Sequence, residues 1–253
     1  TATATVTGVD AVPPTAVCQD RTVFLDASGN ASVAPAEIDN GSSDACGVDS
    51  LALDVTAFTG ADLGSNPVVL TVEDVNGNTS TCAATVTVLD VIDPVVLTQD
   101  ITVFLDANGD VSIVPSDVDG GTTDNSTLTG GPAPVLTLDE QNFDCSAVGP
   151  NVVTLTATDS SGNSASATAT VTVVDAVPPV ALCQDVTVYL GPSGTGTTTA
   201  NDVDNGSNDA CGIDTLVLSQ TLFTGADLGV NPEVLTVTDV NGNTSTCSAN
   251  VTV

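Results

Sequence analysis

The sequence repeats itself, and this constrains the fold more than any other feature. Residues 11–88 align without a gap on residues 176–253 and are identical at most positions. A middle copy lies between them and is longer only around the Gly/Pro-rich stretch 128–135, where a surface loop can grow at small entropic cost. We therefore predict three repeats of about 80 residues each, at 10–89, 90–174 and 175–253.

The residues before the first repeat match the end of a repeat. Residues 3–10 read TATVTGVD, whereas residues 168–175 read TATVTVVD. We expect residues 1–9 to be the closing strand of an upstream repeat, and the chain to be part of a longer tandem array. Neighbouring repeats of the same long chain are then the expected partners, and a homo-oligomeric filament is a further possibility.

Each repeat has the pattern of a β-domain. Apolar residues alternate with polar ones, as at Val68, Leu70 and Val72, and turn sequences such as Asn76-Gly77-Asn78 separate the runs. No stretch has helical periodicity with caps, so only single-turn helices are expected. Several short strands in about 80 residues indicate an all-β fold of tandem immunoglobulin-like sandwiches. Proline in linkers such as 10–14 (DAVPP) predicts short, semi-rigid junctions and hence a rod.

Charge excludes several function classes. The chain has 32 acidic residues and one base, Arg21, so it repels nucleic acids and anionic membranes. No apolar run is long enough to span a bilayer, which predicts no membrane insertion. With no His and no Lys, acid–base chemistry would fall to carboxylates alone, so we do not expect an enzyme.

Recurring motifs resemble a known family. The first repeat carries Asp10-Ala11-Val12-Pro13-Pro14, Cys18-Gln19-Asp20, Asp44-Ala45-Cys46-Gly47, 74–78 (DVNGN) and Cys82 followed by 85–88 (TVTV). This set is similar to hyalin-repeat (HYR-like) modules, which occur in tandem in giant surface adhesins and filaments of Bacteroidota. The resemblance covers nearly the whole chain and is weaker in the middle repeat, where Thr98, Ser126 and Ala167 replace cysteines.

The resemblance implies an Ig-like fold, secretion to the cell surface, and an adhesive or structural role. We therefore expect a segment that gives reach and mechanical strength to an extracellular adhesin or filament. The alternative is a ligand- or carbohydrate-binding spacer of a secreted protein. Tyr189 is the only tyrosine and aligns with Phe24 and Phe104, which gives an aromatic binding platform little support.

Two cysteine columns predict a disulfide in each outer repeat. Cys18 and Cys82 recur as Cys183 and Cys247, and both positions are lost together in the middle repeat. Joint presence and joint loss indicate the bonds Cys18–Cys82 and Cys183–Cys247. Disulfides in turn indicate a location outside the cytoplasm.

The other three cysteines do not pair by column. Cys46 and Cys211 share one column and Cys145 occupies another, and no repeat has both. Family members often carry both columns in one repeat, which implies an internal bridge there. Here we expect free buried thiols, or bonds between repeats or chains, for example Cys145 with Cys46 or Cys211 of a neighbour.

A cluster of acids recurs in one loop of every repeat, and its spacing suits a Ca²⁺ site. Acids at alternate positions around a Gly turn supply oxygen ligands for a hard cation. The alternative is a solvated loop in which Asp and Asn accept hydrogen bonds from their own backbone. The candidate ligands are Glu37, Asp39, Asp44, Asp117, Asp119, Asp124, Asp202, Asp204 and Asp209.

The linkers are a second candidate cation site. Asp10, Asp90, Asp93 and Asp175 lie there, where a bound ion would stiffen the array; alternatively, they only terminate strands. A third acidic column, Asp74 with its copies Asp159 and Asp239, is interpreted as a plain hairpin turn rather than a ligand set.

Overall fold

The computed structural model describes residues 2–5 and 8–253, and its regular structure is almost entirely β. The strands are β1 (Arg21–Phe24), β2 (Asn30–Ser32), β3 (Val48–Leu53), β4 (Ala57–Thr59), β5 (Gly64–Asp74), β6 (Thr79–Leu89), β7 (Ile101–Phe104), β8 (Asp110–Ser112), β9 (Val135–Leu138), β10 (Asn142–Asp144), β11 (Gly149–Thr158), β12 (Ser164–Val174), β13 (Val186–Thr187), β14 (Thr195–Thr197), β15 (Ile213–Leu218), β16 (Leu222–Thr224), β17 (Val230–Asp239) and β18 (Thr244–Thr252). The all-β prediction is confirmed.

Among residues 2–5 and 8–253, helices are limited to single turns. The α-helical turns are α1 (Pro35–Ile38), α2 (Pro115–Val118) and α3 (Ala200–Val203), and the 3₁₀ turns are Gly60–Asp62, Ser126–Thr129, Cys145–Ala147 and Gly225–Asp227. In α1 a proline occupies the first helical position, where its missing N–H removes no helical hydrogen bond.

The first repeat is a sandwich of two sheets. One sheet has the order β1-β6-β5-β3, and the other consists of the antiparallel pair β2 and β4. β1 runs parallel to β6, with Arg21 opposite Val86, whereas β5 and β6 form a long antiparallel hairpin.

Apolar and polar residues alternate along the hairpin, and the apolar ones form the core. Val68, Leu70 and Val72 of β5 are fully buried, and they pack in one cluster with Phe58 of β4 and Ile38 of α1. Since side chains alternate between the two faces of a strand, the intervening residues face away from this core. Burying a side chain of this kind contributes about 1.5–3 kcal/mol, which matters in a domain with so few aromatic residues.

The third repeat has the same plan. Its sheets are β13-β18-β17-β15 and β14-β16, and its core includes Phe223, Leu235 and Val237. In the middle repeat β7 pairs parallel with β12, with Ile101 opposite Val171, as β1 does with β6. The first and third repeats therefore form the immunoglobulin-like sandwich from the same strand pairings, and the middle repeat shares their parallel pairing of first and last strands.

The chain divides into two compact units. The first contains the described residues up to Thr98, with Asp119–Thr137 and Leu155–Ala167. The second contains Gln99–Val118, Leu138–Thr154 and Thr168–Val253. The middle repeat thus contributes segments to both units, and the boundaries at 10–89, 90–174 and 175–253 stay predictions.

The N-terminal strand prediction for residues 1–9 falls partly on Thr1, Val6 and Thr7, which lie outside the described residues. Residues 2–5 and 8–9 have no regular secondary structure.

Within the described part of the chain, no helix has the length and apolar character needed to cross a membrane.

Candidate cation sites

Disulfides tie the start of a repeat to its last strand. Cys18 bonds with Cys82 and Cys183 with Cys247, each with a Cα–Cα distance of 5.8 Å, and these are the pairs that the cysteine columns predict. Each bond closes a separation of 64 residues. On the chain-entropy model a loop of this length stabilises the folded domain by about 4 kcal/mol.

A third disulfide decides between the alternatives that the sequence leaves open for two cysteines. Cys145 bonds with Cys211 at a Cα–Cα distance of 5.1 Å. This is one of the bonds between repeats that the sequence allows, and neither cysteine is a free or inter-chain thiol. The bond lies within the second unit and joins the middle repeat to the third. The physical reason is that the 3₁₀ turn Cys145–Ala147 of one repeat lies against the loop at Ala210 and Cys211 of the next.

The two sequence columns of Cys145 and Cys211 also meet in the first unit, between the first and middle repeats, but carry no cysteines there. The residues in these two columns are Gly60 and Ser126, and they are also in close contact. A Cβ on Gly60 would lie 2.0 Å from the Ser126 carbonyl oxygen, so only glycine fits. Two hydrogen bonds support this contact: the Gly60 N–H donates to Thr129 Oγ1 over 2.7 Å, and Thr129 Oγ1 donates to the Gly29 carbonyl over 2.7 Å.

Cys46 is the free cysteine among the described residues, and it is exposed. A hydrogen bond with Asp10 raises the pKa of the Cys46 thiol, and the charges of Asp10, Asp44 and Asp74 act in the same direction. A raised pKa keeps the thiol protonated and poorly reactive. The prediction of a free thiol therefore holds for Cys46 alone, and the expected burial of that thiol is wrong, since Cys46 is exposed.

The first acid of each predicted loop set accepts a hydrogen bond at a helical turn. Glu37 accepts a hydrogen bond from the Ala34 N–H over 2.9 Å and forms an ion pair of 2.9 Å with Arg21. Asp117 likewise accepts from the Val114 N–H, and Asp202 from the Thr199 N–H, both over 2.8 Å. These carboxylates cap α1, α2 and α3.

The second acid of each set closes a turn. Asp39 accepts hydrogen bonds from the N–H groups of Gly41 and Ser42. The side-chain hydrogen bond to Ser42, followed by these backbone bonds, lowers the pKa of Asp39. Asp119 and Asp204 make the corresponding bonds, so this part of the set has the Asx-turn geometry of the alternative interpretation.

The third acid of each set joins the linker acids. Three groups of potential ligands have atoms within 4.8 Å of one another among the described residues. They are Asp10 with Asp44 and Cys46, Asp90 with Asp124 and Asp159, and Asp175 with Asp209 and Cys211. The two separate predictions, loop and linker, therefore meet in one place, whereas Asp93 belongs to none of these groups.

The middle group, which we call the buried triad, consists of three carboxylates. Asp90 is 4% exposed, Asp124 is 2% exposed and Asp159 is 6% exposed. All three lie in the first unit, although they come from the linker, the acidic loop and the β11–β12 hairpin. The sequence pattern indicates only a plain turn at Asp159, so its place in the triad is the part of the site that sequence reasoning misses.

Backbone and amide groups satisfy some of the triad oxygens. Asp159 accepts from the N–H groups of Ser161 and Asn163 and from the Asn163 amide. Asp124 Oδ2 accepts from the backbone and the hydroxyl of Ser126. Asp90 Oδ1 accepts from the Ile92 N–H and from the Asn125 amide nitrogen, each over 3.1 Å.

Other oxygens at the triad have no partner. Asp90 Oδ2 and Asp124 Oδ1 are buried without a hydrogen bond, and so is Oδ1 of the neighbouring Asn125. A buried polar atom without a partner costs about 1–3 kcal/mol, and more when it is charged. The all-oxygen donor set, its burial and these unpartnered atoms fit a hard divalent cation.

The outer groups differ from the buried triad. In the first repeat Asp10 and Asp44 are only partly buried and the third member is the exposed thiol of Cys46. In the third repeat the sulfur of Cys211 is held in a disulfide, which leaves Asp175 and Asp209. The hairpin acids Asp74 and Asp239 are buried but bind their own turns.

The aromatic column of the repeats is exposed. Phe24 at the end of β1 and Phe104 at the end of β7 are more than half exposed, and Tyr189 is 87% exposed. The structure thus presents an aromatic side chain at this position in each repeat, although the sequence gives a binding platform little support.

No protein-family model matches the sequence, and no curated protein matches it. Among solved structures, human CDH23 EC21-23 has 14% identity and a TM-score of 0.40, over 95% of this chain and 100% of that one. Protocadherin Gamma B7 extracellular cadherin domains 1-4 has 11% identity and a TM-score of 0.34, over 95% and 76%. A three-Ig structure of titin has 10% identity and a TM-score of 0.33, over 96% and 99%. At these TM-scores the likeness carries no argument about function.

Proposed function

We propose that the chain is a structural or adhesive segment of a long extracellular repeat protein, which gives reach and mechanical strength to a surface adhesin or filament. The observation that carries this proposal is the Cys145–Cys211 bond, which links two successive repeats covalently. A bond inside one repeat would stabilise that repeat alone. A bond between repeats also restrains bending at their junction, which is what a mechanical spacer requires.

Three further features support the proposal. The three disulfides agree with an oxidising, extracytoplasmic location. The motifs resemble hyalin-repeat modules, for which an adhesive or structural role is expected. The sequence also contains no His and no Lys to act as a general base beside a nucleophile, and we propose no catalytic role.

The junction is tested by the distance between the chain ends. Dyes are placed at the two termini, and single-molecule energy transfer records the end-to-end distribution of the oxidised chain. The distribution should widen in the variant Cys145→Ser/Cys211→Ser. The matched control Cys18→Ser/Cys82→Ser removes a bond within one repeat and should leave it nearly unchanged as long as that repeat is folded. Equal distributions in the wild type and the junction variant would contradict the proposal.

We further propose that Ca²⁺ bound among the acidic groups stiffens the array. The chain has a formal net charge of -31, and its one base is already paired with Glu37. Buried carboxylates therefore have no internal counter-charge, and bound cations would relieve their repulsion. The thermal midpoint should rise in Ca²⁺ relative to chelator at constant ionic strength, and an unchanged midpoint would contradict this proposal.

A ligand-binding spacer is the second candidate, and the exposed aromatic column favours it. Phe24, Phe104 and Tyr189 place one accessible ring in each repeat. Aromatic faces of this kind stack on apolar faces of ligands. Binding to a carbohydrate panel that is lost in Tyr189→Ala, but kept in Cys18→Ser/Cys82→Ser, would support this candidate over a purely mechanical role.

A further inference from the structure

We infer that the buried triad of Asp90, Asp124 and Asp159 is a specific Ca²⁺ site, and that its ion holds residues 125–129 against the turn at 26–30. The inference deepens the proposed stiffening by cations, since it assigns one site and one structural consequence. It does not depend on the covalent junction at Cys145–Cys211.

The first step is the local charge. Three carboxylates, each more than nine-tenths buried, have oxygen atoms within 4.8 Å of one another. Like charges at this distance in a poorly hydrated environment repel strongly. The hydrogen bonds that they accept come from neutral N–H and O–H groups, which solvate the charge but do not neutralise it. The chain's one base, Arg21, is paired with Glu37 instead.

The second step is the set of unpartnered atoms. Asp90 Oδ2, Asp124 Oδ1 and Asn125 Oδ1 are buried and accept no hydrogen bond. Asn125 is an independent side chain, 7% exposed, and its amide nitrogen donates to Asp90 Oδ1 over 3.1 Å, which places its amide at the triad. Buried acceptors without donors, on side chains that share one cluster, are what a cation site contains before its ion is added.

The third step is the choice of ion. All the donors are oxygens, with no imidazole or thiolate, and this selects hard cations such as Ca²⁺ or Mg²⁺ over zinc and copper. Ca²⁺ accepts six to eight oxygens in irregular arrangements, whereas Mg²⁺ requires a nearly ideal octahedron and retains its waters. A set of carboxylates and an amide, held by separate backbone turns and shielded from solvent, suits Ca²⁺.

The fourth step is the link to the contact between repeats. The Asn125 amide nitrogen also donates to the Asp26 carbonyl over 3.1 Å, and Thr129 donates to Gly29 over 2.7 Å. The segment that touches the turn at 26–30 therefore begins at the triad. Repulsion within an ion-free triad would displace Asp124 and Asn125, and with them this contact.

The experiment uses the whole oxidised chain. Titration calorimetry with CaCl₂, after treatment with chelator, should show a tight site that weakens at least 100-fold in Asp124→Asn and in Asp159→Asn. The matched control Asp209→Asn changes the same column in the third repeat and should retain this site. Hydrogen exchange should show protection of residues 125–129 on addition of Ca²⁺ in the wild type but not in Asp124→Asn.

Two results would overturn the inference. One is wild-type affinity for Ca²⁺ in both triad variants with native strand content by circular dichroism. The other is Ca²⁺ binding without any change in exchange at 125–129. If a triad variant does not fold, Asp90→Asn and the exchange measurement on the wild type still decide. A chain whose thermal midpoint rises in Ca²⁺, but whose triad variants bind Ca²⁺ as the wild type does, disproves the present inference and leaves the proposed stiffening by cations in place.

Discussion

At the scale of single residues, Gly60 shows how closely the first two repeats approach. The Ser126 carbonyl oxygen occupies the place of a side chain on Gly60. Its counterpart in the third repeat, Gly225, has nothing within 4 Å of the place where a methyl group would lie, so the same residue type is required in one repeat and incidental in the other. A comparison of the sequence columns finds two glycines and cannot separate these cases.

Gly60→Ala should therefore lower the free energy of unfolding by about 1–3 kcal/mol, since a backbone carbonyl must move to admit the methyl group. Gly225→Ala is the matched control and should change it by less than about 0.5 kcal/mol. Chemical denaturation followed by circular dichroism measures both. Equal effects of the two substitutions would show that the close contact between Gly60 and Ser126 does not exist in solution.

The sequence shows the individual acidic columns but not that they meet in space. Each of the linker, loop and hairpin columns is visible in the sequence as an aspartate present in every repeat, for example Asp90, Asp124 and Asp159. Their convergence is not predictable from spacing, because it depends on which turns meet in space, and the loop and hairpin are separate segments of the chain. The signal that could have found it is the presence of all three columns in all three repeats.

At the scale of elements, the strands and turns follow from local chemistry. Alternation at Val68, Leu70 and Val72 predicts the long hairpin, and the sequence 74–78 closes it with Asp74 accepting from Asn76 and Asn78. The single-turn helices cannot be located from the sequence, because four residues are too few for helical periodicity. Their carboxylate caps are Glu37, Asp117 and Asp202, which are also among the candidate cation ligands that the sequence indicates.

The Asx-turn carboxylates predict a pH dependence. The pKa of Asp39 is lowered below the ordinary value of 3.8 by hydrogen bonds from Ser42 and Gly41. A depressed folded-state pKa contributes stability above the unfolded pKa, and this contribution is lost as the pH falls through the folded value. The wild type should therefore be more stable than Asp39→Ala at pH 6, and the difference should shrink as the pH falls through the lowered folded-state pKa.

The stability of the wild type minus that of Asp39→Ala is the quantity to follow with pH. The stability of either protein alone also changes with pH, because protonation relieves the general repulsion among its acids, which number 32 in the wild type. Urea midpoints at several pH values provide the difference. Asp20→Ala serves as a comparison for a carboxylate outside the Asx turn, since Asp20 accepts a hydrogen bond from the Thr85 N–H in a different part of the fold. A difference for Asp39→Ala that stays constant from about pH 6 to about pH 2 would contradict the turn as described.

At the scale of the whole molecule, the repeats are connected in two chemically different ways. In the first unit, Gly60 and Ser126 meet through a close backbone contact, with a hydrogen bond from the Gly60 N–H to Thr129. In the second unit, the same two columns carry Cys145 and Cys211 and form a covalent bond. Pairing within repeats is predictable from columns that vary together. For pairing across repeats the sequence offers Cys145 with Cys211 only as one alternative among several, since the two cysteines lie in different columns of different repeats.

The free thiol follows from the same logic. Cys46 occupies the column of Cys211 and Ser126, whose contacts are to the preceding repeat. Among the described residues no cysteine is bonded to Cys46, which is exposed.

The charge distribution follows the repeats as well. Acids cap helical turns, close Asx turns or belong to the three groups near the linkers.

The measurement that tests the mechanical role most directly is force spectroscopy on single chains pulled from their termini. In the oxidised chain the Cys18–Cys82 bond withholds 64 residues from extension, which is roughly 220 Å of contour at about 3.4 Å per residue. We predict that the oxidised chain unfolds at higher force and extends less than the reduced chain, and that Ca²⁺ raises the force further. Unfolding of the oxidised chain at the low force of the reduced chain, with or without Ca²⁺, would contradict a load-carrying role.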